Sequence, residues 1–127
     1  MSATTQRWTD RARYDLDTAV AMFDSGRYLY VFFCCQQAIE KGLKAVIVKE
    51  TQDFPPRLHN LLRLAEVAGV SPRADYADFL GELSGYYIQT RYPEEMESVA
   101  AGITSESAQE ALRMTQEVAE WLFSMLQ

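Results

Sequence analysis

The chain has 127 residues, the size of one domain, and its composition excludes several classes of protein. Hydrophobic residues make up 48 % and charged residues 24 %, which is typical of a folded globular chain and not of a disordered one. Eighteen acidic and twelve basic residues give a net charge of -6. A strongly basic surface is therefore excluded, and any site for a polyanion must be a local cluster of cations.

Three features of the sequence predict a cytoplasmic protein that does not enter a membrane. No apolar run follows the amino terminus, which argues against a signal peptide. The longest apolar run, residues 28–35, is far shorter than the roughly 20 residues that cross a bilayer. Cys34 and Cys35 are adjacent, and neighbours on a helix point about 100° apart, so we expect reduced thiols in the core and no disulfide between them.

Apolar residues recur every three or four positions along most of the chain, which predicts an all-α protein. Gly26 and Gly69 are suited to end the first and third helices, Pro72 to begin the fourth and Pro93 to end it. Thr104 or Ser105 is suited to cap the last helix, and residues 94–103 are predicted to form a loop. The predicted helices are 7–25, 28–50, 58–68, 72–91 and a last one from 104 or 105 onward. Five helices with short connections favour an up-and-down antiparallel helical bundle, in one domain over residues 1–127.

The second predicted helix changes character along its length. Residues 29–35 are apolar on nearly every side, which indicates that other helices or a second subunit surround them. The second half is amphipathic, with Glu40 and Lys44 spaced as an i,i+4 ion pair on its polar side. Gly42 in the middle of a helix costs about 1 kcal/mol relative to Ala, which the close approach of a neighbouring backbone would explain.

Four sequence motifs follow one another from the first to the fourth predicted helix. They are Trp8 with residues 12–16 (ARYDL), Gly26-Arg27-Tyr28 with residues 35–45 (CQQAIEKGLKA), His59-Asn60-Leu61, and residues 86–93 (YYIQTRYP). Their order resembles that of the HEPN domain family (higher eukaryotes and prokaryotes nucleotide-binding), of the stand-alone prokaryotic type with an Arg-Tyr-Pro motif. The second and fourth motifs together are the specific part of this resemblance.

The resemblance implies a helical bundle that forms a homodimer and needs no cofactor or metal. Many members of the family stand beside a small nucleotidyltransferase in bacterial and archaeal toxin–antitoxin pairs. Several are metal-independent ribonucleases that use Arg-x4–6-His at the end of the helix that corresponds to the fourth one here. In those members two copies meet across the dimer and cut RNA through its 2′-hydroxyl group.

Arg91 matches the arginine of that ribonuclease motif, but the histidine is missing. Met96 stands at the shortest spacing, and Glu97 and Ser98 stand at the longer ones. A thioether cannot transfer a proton, whereas the pKa of histidine suits that role near neutral pH. The chain is therefore expected to bind a nucleotide, RNA or a nucleotidyltransferase without cleavage.

Two other roles for Arg91 follow from the same residues. An active ribonuclease would use Arg91 to stabilise the phosphate and another group, Glu94 or Glu95, to transfer the proton. In a purely structural role, Arg91 would bond carbonyl groups at the helix end or an acidic residue.

Further candidate binding residues lie on three segments. Tyr86, Tyr87 and Tyr92 are suited to stack on bases, or to be half-buried with their hydroxyl groups bonded. His59, the sole histidine, is expected to cap a helix or pin a loop and is a poor metal ligand by itself. A local anion-binding edge is also predicted from His59 with Arg57 and Arg63. Glu40 and Lys44 are expected on a solvated stripe, and a Glu40–Arg91 contact would order a cleft in the dimer.

Overall fold

The computed structural model describes residues 1–87 and 91–127, which form six α-helices and one short 3₁₀ helix. This confirms the predicted all-α fold and adds one helix to the five expected. Ile88, Gln89 and Thr90, which fall within the predicted fourth helix, lie outside the described residues. The α-helices are α1 (Ala3–Asp24), α2 (Tyr28–Thr51), α3 (Leu61–Ala68), α4 (Ala74–Leu83), α5 (Pro93–Ala101) and α6 (Ser105–Ser124), and the 3₁₀ helix is Ser84–Tyr86.

Helix α2 is the centre of the bundle and packs against all five other helices. Its contacts with α1 run in antiparallel order, because Lys41 pairs with Asp15 and Lys44 lies over the ring of Trp8. The largest fully buried side chains come mainly from α2, α3, α4 and α6, and include Ile39, Leu43, Ile47, Leu61, Leu64, Leu80, Leu83 and Leu122. None of the described helices is both long and apolar enough to cross a membrane.

Several helix ends differ from the prediction, each for a local reason. Helix α1 begins at Ala3 because Ser2 accepts a hydrogen bond from the Thr5 N–H at 3.1 Å. Helix α3 begins at Leu61 and not at residue 58, because Asn60 caps it by accepting from the Arg63 N–H at 3.0 Å. His59 therefore lies in the preceding loop. Gly69, with φ of 73°, ends α3 as predicted.

The fourth helix is shorter at both ends than the sequence predicted. Arg73 holds the N-cap position, so Ser71-Pro72 does not open α4. The helix ends at Leu83 and not near Arg91, because the Ser84 hydroxyl donates to the Leu80 carbonyl at 2.8 Å and accepts from the Leu61 N–H at 2.9 Å. A serine that bonds locally in this way competes with the regular helical pattern.

The predicted loop over residues 94–103 is wrong, because Pro93–Ala101 forms α5. Pro93 stands at the first position of that helix, with Glu94 and Glu95 in its first turn. Proline at this position and acidic residues beside the positive end of the helix dipole both favour a helix start. Pro93 therefore disfavours helical geometry at the residue before it and also begins the next helix, α5. Thr104 caps α6 as predicted, accepting from the Ser107 N–H at 3.0 Å.

Gly42 allows α2 and α6 to pack closely. A Cβ atom at this position would lie 3.2 Å from Cδ1 of Leu122, a fully buried side chain on α6. The close neighbour is thus a side chain and not the backbone that the sequence suggested. We expect Gly42→Val to lower the free energy of unfolding by about 1–3 kcal/mol through overpacking, as measured by urea denaturation.

Gly81 provides the matched control for Gly42, because it also lies inside a helix but has more room. A Cβ atom there would meet Cδ1 of Leu62 at 3.6 Å, an ordinary contact. Gly81→Val should therefore change the free energy of unfolding by no more than about 0.5 kcal/mol, because the position is exposed. Equal effects of the two substitutions would show that packing against Leu122 does not restrict position 42.

Cys34 and Cys35 are free and buried, as predicted. Burial raises the pKa of Cys34 to about 11 and that of Cys35 to about 12, from an ordinary value of 9.0. Above pH 9 the thiols of the unfolded chain ionise while those of the native chain stay protonated. We therefore expect the free energy of unfolding to fall as the pH rises from 9 to 11, by up to about 1.4 kcal/mol per pH unit for each thiol.

Urea denaturation at several pH values above and below 9 measures this effect, with a Cys34→Ala, Cys35→Ala double variant as the control. In the double variant, the part of the fall in the free energy of unfolding above pH 9 that comes from the thiols should be absent. Identical pH profiles for the two proteins would contradict the prediction.

Candidate functional site

Glu40 is the centre of a buried polar cluster on α2. The residue is 5 % exposed. Its Oε1 atom accepts from Gln36 Nε2 at 3.0 Å and lies 3.1 Å from His59 Nδ1, while Oε2 accepts from Lys44 Nζ at 3.1 Å. Gln36, Glu40 and Lys44 share one face because four residues are close to one helical turn. The predicted i,i+4 pair is confirmed, but its expected exposure to solvent is wrong.

His59 fixes the loop that precedes α3 onto this cluster. Its backbone carbonyl accepts from Gln36 Nε2 at 3.0 Å, and its ring nitrogen contacts Glu40. The imidazole ring stacks on Tyr87, with ring centroids 3.9 Å apart and planes 11° apart. His59 thus connects α2 to the segment after the 3₁₀ helix, which matches the loop-pinning role predicted for it.

A pocket of about 500 Å³ opens beside this cluster. We name it the Trp8 pocket. Trp8 comes from α1 and Lys44 from α2, and the ammonium group of Lys44 lies 5.6 Å from the centroid of the Trp8 ring. The loop before α3 supplies the other side. The remaining lining residues are Phe54, Pro55, Pro56, Arg57, His59 and Tyr87.

The Trp8 pocket combines aromatic rings with cations. Lys44 is 6 % exposed, and its ion pair with Glu40 is its sole hydrogen bond within residues 1–87 and 91–127. Arg57 is exposed at the pocket wall. Burial, and secondly the charge of Glu40, raise the pKa of Tyr87 above its usual value. The Tyr87 hydroxyl therefore stays protonated well above neutral pH.

Arg91 lies outside any helix and closes the turn after α4. Its guanidinium group donates to the carbonyl of Gly85 in the 3₁₀ helix. This is one of the contacts that the sequence predicted for a structural arginine. Within the described part of the chain, the hydrogen bonds of Glu40 go to Gln36, Lys44 and His59, and none joins it to Arg91.

Tyr92 and Met96 stand at the start of α5. Tyr92 is 70 % exposed and holds the N-cap position, where its carbonyl accepts from the Met96 N–H at 3.1 Å. Met96 is half-buried, whereas Glu94 and Glu95 are exposed. The segment from Arg91 to Met96, which corresponds to the ribonuclease motif, therefore contains the beginning of α5.

The structure brings four of the six candidate binding residues together: Glu40, Lys44, His59 and Tyr87. Arg91 and Tyr92 follow Tyr87 in the chain, beyond residues 88–90. Sequence reasoning did not assign a site role to Trp8, Gln36 or Phe54. Phe54 is 89 % exposed. The sequence feature that could have indicated it is an aromatic residue in a loop that contains prolines. No group of three acidic, histidine or cysteine side chains suited to a metal ion is present in the described ranges.

The bundle and the order of its motifs define a class of small all-α domains, and comparison with known proteins gives the family. The sequence profile of the HEPN domain matches residues 5–125, almost the whole chain. The chain therefore belongs to the HEPN domain family.

Two solved structures share this fold. The protein TT1696 from Thermus thermophilus is 26 % identical, with a TM-score of 0.79 over 98 % of this chain and 100 % of that chain. ST0689, an archaeal HEPN homologue, is 20 % identical, with a TM-score of 0.77 over 97 % of this chain and 98 % of its own. At that identity the second match shows the fold alone. No protein with a curated description matches this sequence.

Proposed function

We propose that this protein is a cytoplasmic prokaryotic HEPN homodimer that binds a nucleotide or RNA without cleaving it. A toxin–antitoxin pair with a small nucleotidyltransferase is the proposed setting. The observation that carries the proposal is the meeting of Lys44, His59 and Tyr87 with Trp8 around one pocket. This arrangement gives a protein of net charge -6 a local site for an anion with an aromatic ring.

The side chains of the pocket suit the two parts of a nucleotide. Stacking of a base on an aromatic side chain is worth about 1–3 kcal/mol. Hydrogen bonds from cations to phosphate are about twice as strong as those between neutral groups. Arg91 adds a cation farther along the chain. Its guanidinium group has five N–H donors, and the bond to Gly85 uses one of them.

Binding without cleavage follows from Met96. The family's ribonuclease motif requires a histidine after the arginine, and the thioether of Met96 neither accepts nor releases a proton. Arg91 alone would hold the phosphate group of RNA without activating its 2′-hydroxyl. The protein is therefore expected to retain RNA intact.

Fluorescence anisotropy with labelled RNA, together with a gel assay of the same RNA, tests this proposal. Wild-type protein should bind RNA and leave it uncut, and Arg91→Ala should weaken the binding. Arg27→Ala is the matched control, because Arg27 is an exposed arginine at the opposite end of α2 from Lys44, roughly 25 Å away at 1.5 Å per residue. A protein that retains neither RNA nor a nucleotide would rule out the proposed function.

A metal-independent ribonuclease is the second candidate, and the position of two carboxylates favours it. Glu94 and Glu95 are exposed in the first turn of α5, three and four residues after Arg91. Cleavage of RNA in the presence of a chelator, lost in Arg91→Ala and in Glu94→Gln or Glu95→Gln, would support this candidate. If neither the wild type nor Arg91→Ala cleaves RNA, the ribonuclease candidate is excluded.

The homodimer is proposed from the apolar first half of α2. Tyr30 is 40 % exposed there and packs edge-on against Phe33, with ring centroids 6.4 Å apart. A second copy would cover this surface. Light scattering at micromolar concentration should give twice the mass of the 14.5 kDa chain, and a monomer would contradict the proposal. Co-purification with a nucleotidyltransferase tests the partner.

A further inference from the structure

We propose that the Trp8 pocket is selective for a nucleoside monophosphate, that is, for one planar ring carrying one doubly charged phosphate group. This inference rests on the proposed function and names the ligand class of its site. The pocket volume of about 500 Å³ lies within the usual range for small-molecule sites, about 300–1,000 Å³.

The number of cations in the pocket sets the charge of the ligand. Lys44 and Arg57 supply the cations of the lining, but Glu40 already pairs with Lys44. The lining therefore compensates little negative charge, and a monophosphate carries the least negative charge of the nucleotides. A triphosphate would bring further negative charge that the lining does not compensate, into a protein that already carries -6.

Lys44 is the buried cation of the pocket. Its ammonium group has three N–H donors, and the described chain offers a single acceptor, Glu40 Oε2 at 3.1 Å. The side chain is only 8 % exposed, and Lys44 lines the pocket. A hydrogen bond from this ammonium group to a phosphate oxygen in the pocket would be about twice as strong as one between neutral groups.

Phe54 provides the wall for the ring of the ligand. It lines the pocket although 89 % of its surface is exposed, and its backbone N–H donates to the Asp53 carboxylate at 2.8 Å. Complete burial of a phenylalanine side chain is worth about 1.5–3 kcal/mol, so a ring placed against Phe54 gains stacking and apolar burial together. His59 and Pro55-Pro56 hold the loop in place before the ligand arrives, which lowers the entropic cost of binding.

Isothermal titration with four probes tests the ligand class: AMP, adenosine, inorganic phosphate and ATP. We expect AMP to bind more tightly than each of the other three. Arg57→Ala should weaken AMP binding about tenfold, through the lost charge-assisted hydrogen bond. Phe54→Ala should weaken it about 5- to 100-fold, through the lost stacking.

Arg57 and Phe54 are both exposed, so neither substitution threatens the fold. Arg27→Ala and Tyr14→Ala are the matched controls, because they remove an exposed arginine and an exposed tyrosine that do not line the pocket. Both control variants should bind AMP as the wild type does.

The outcomes that overturn this inference differ from those that overturn the proposed function. Absence of AMP binding at millimolar concentration, with RNA binding intact, would refute the monophosphate site and leave the proposed function standing. Loss of both would refute both. Tighter binding of ATP than of AMP would refute the selectivity. An effect of Phe54→Ala on dimer mass, with no effect on AMP binding, would show that Phe54 meets a second copy instead.

A 5′-phosphorylated oligoadenylate distinguishes the free nucleotide from the end of an RNA chain. Weaker binding of the oligonucleotide than of AMP is expected. If it binds through Arg57 and Phe54 while AMP does not bind, the pocket takes an RNA terminus and the inference is wrong.

Discussion

Replacing Glu40 with alanine is expected to lower the free energy of unfolding by about 3–5 kcal/mol, the usual effect of removing one partner from a buried ion pair. The Lys44 ammonium would remain buried without its counter-charge, and it is only 6 % exposed. Gln36 Nε2 would lose one of its two acceptors, and His59 Nδ1 would lose its contact. Urea denaturation followed by circular dichroism measures the change.

Two further variants show whether the charge or the packing is responsible. Glu50→Ala, at an exposed position on the same helix, should change the stability by no more than about 0.5 kcal/mol. A double variant, Glu40→Met with Lys44→Met, removes both charges and should recover most of the loss, because apolar side chains of similar size often replace a buried pair without cost. Equal effects of Glu40→Ala and Glu50→Ala would mean that the buried cluster contributes nothing to stability.

The fold could be predicted from the sequence wherever one short-range signal dominated. Helix α2 begins at Tyr28 as predicted, and Gly69 and Thr104 mark helix ends where propensity and capping agree. The errors arose where two signals competed. Pro93 was interpreted as the end of one helix, although the same residue begins α5. Ser84 ends α4 through bonds of its side chain, one of them to α3. The spacing of apolar residues along the chain carries no information about such a bond.

The candidate site was predicted in part, and the missing part depends on contacts between distant residues. Glu40 and Lys44 have the spacing of a solvated pair, and nothing local shows that they are buried. They are buried because the loop before α3 folds over α2, where Gln36 bonds the carbonyl of His59, 23 residues later. The contact of His59 with Tyr87 joins residues that are even farther apart in sequence. The candidate residue types were therefore identified, but their arrangement around a pocket was not.

The buried cluster and the Trp8 pocket share Lys44 and His59, which couples stability to binding. Glu40 contacts both side chains, and both residues line the pocket. A ligand that bonds Lys44 would bind the native state alone, since the unfolded chain has no pocket, and would stabilise the protein accordingly. Substitutions at Glu40 should thus weaken binding through geometry, whereas those at Arg57 act on the ligand directly.

Restoring the missing histidine is expected to create a ribonuclease. Met96→His places an imidazole in the first turn of α5, five residues after Arg91, at the shortest spacing of the family's motif. General acid–base catalysis by a positioned side chain contributes typically about 10²–10⁴-fold. We therefore expect cleavage of RNA to appear in the presence of a chelator, at least about 100-fold above the wild type.

The pH dependence and a second substitution distinguish real cleavage from contamination. The rate should change near pH 6.5, the ordinary pKa of histidine, and it should fall to the wild-type level when Arg91→Ala is added. In this variant Arg91 would supply the charge that stabilises the phosphate, so the two residues would act as a unit and their effects should not be additive. If Met96→His folds and binds RNA but does not cut it, the absent histidine is not what prevents catalysis. The geometry of Arg91, bonded to Gly85, would then be the cause to examine.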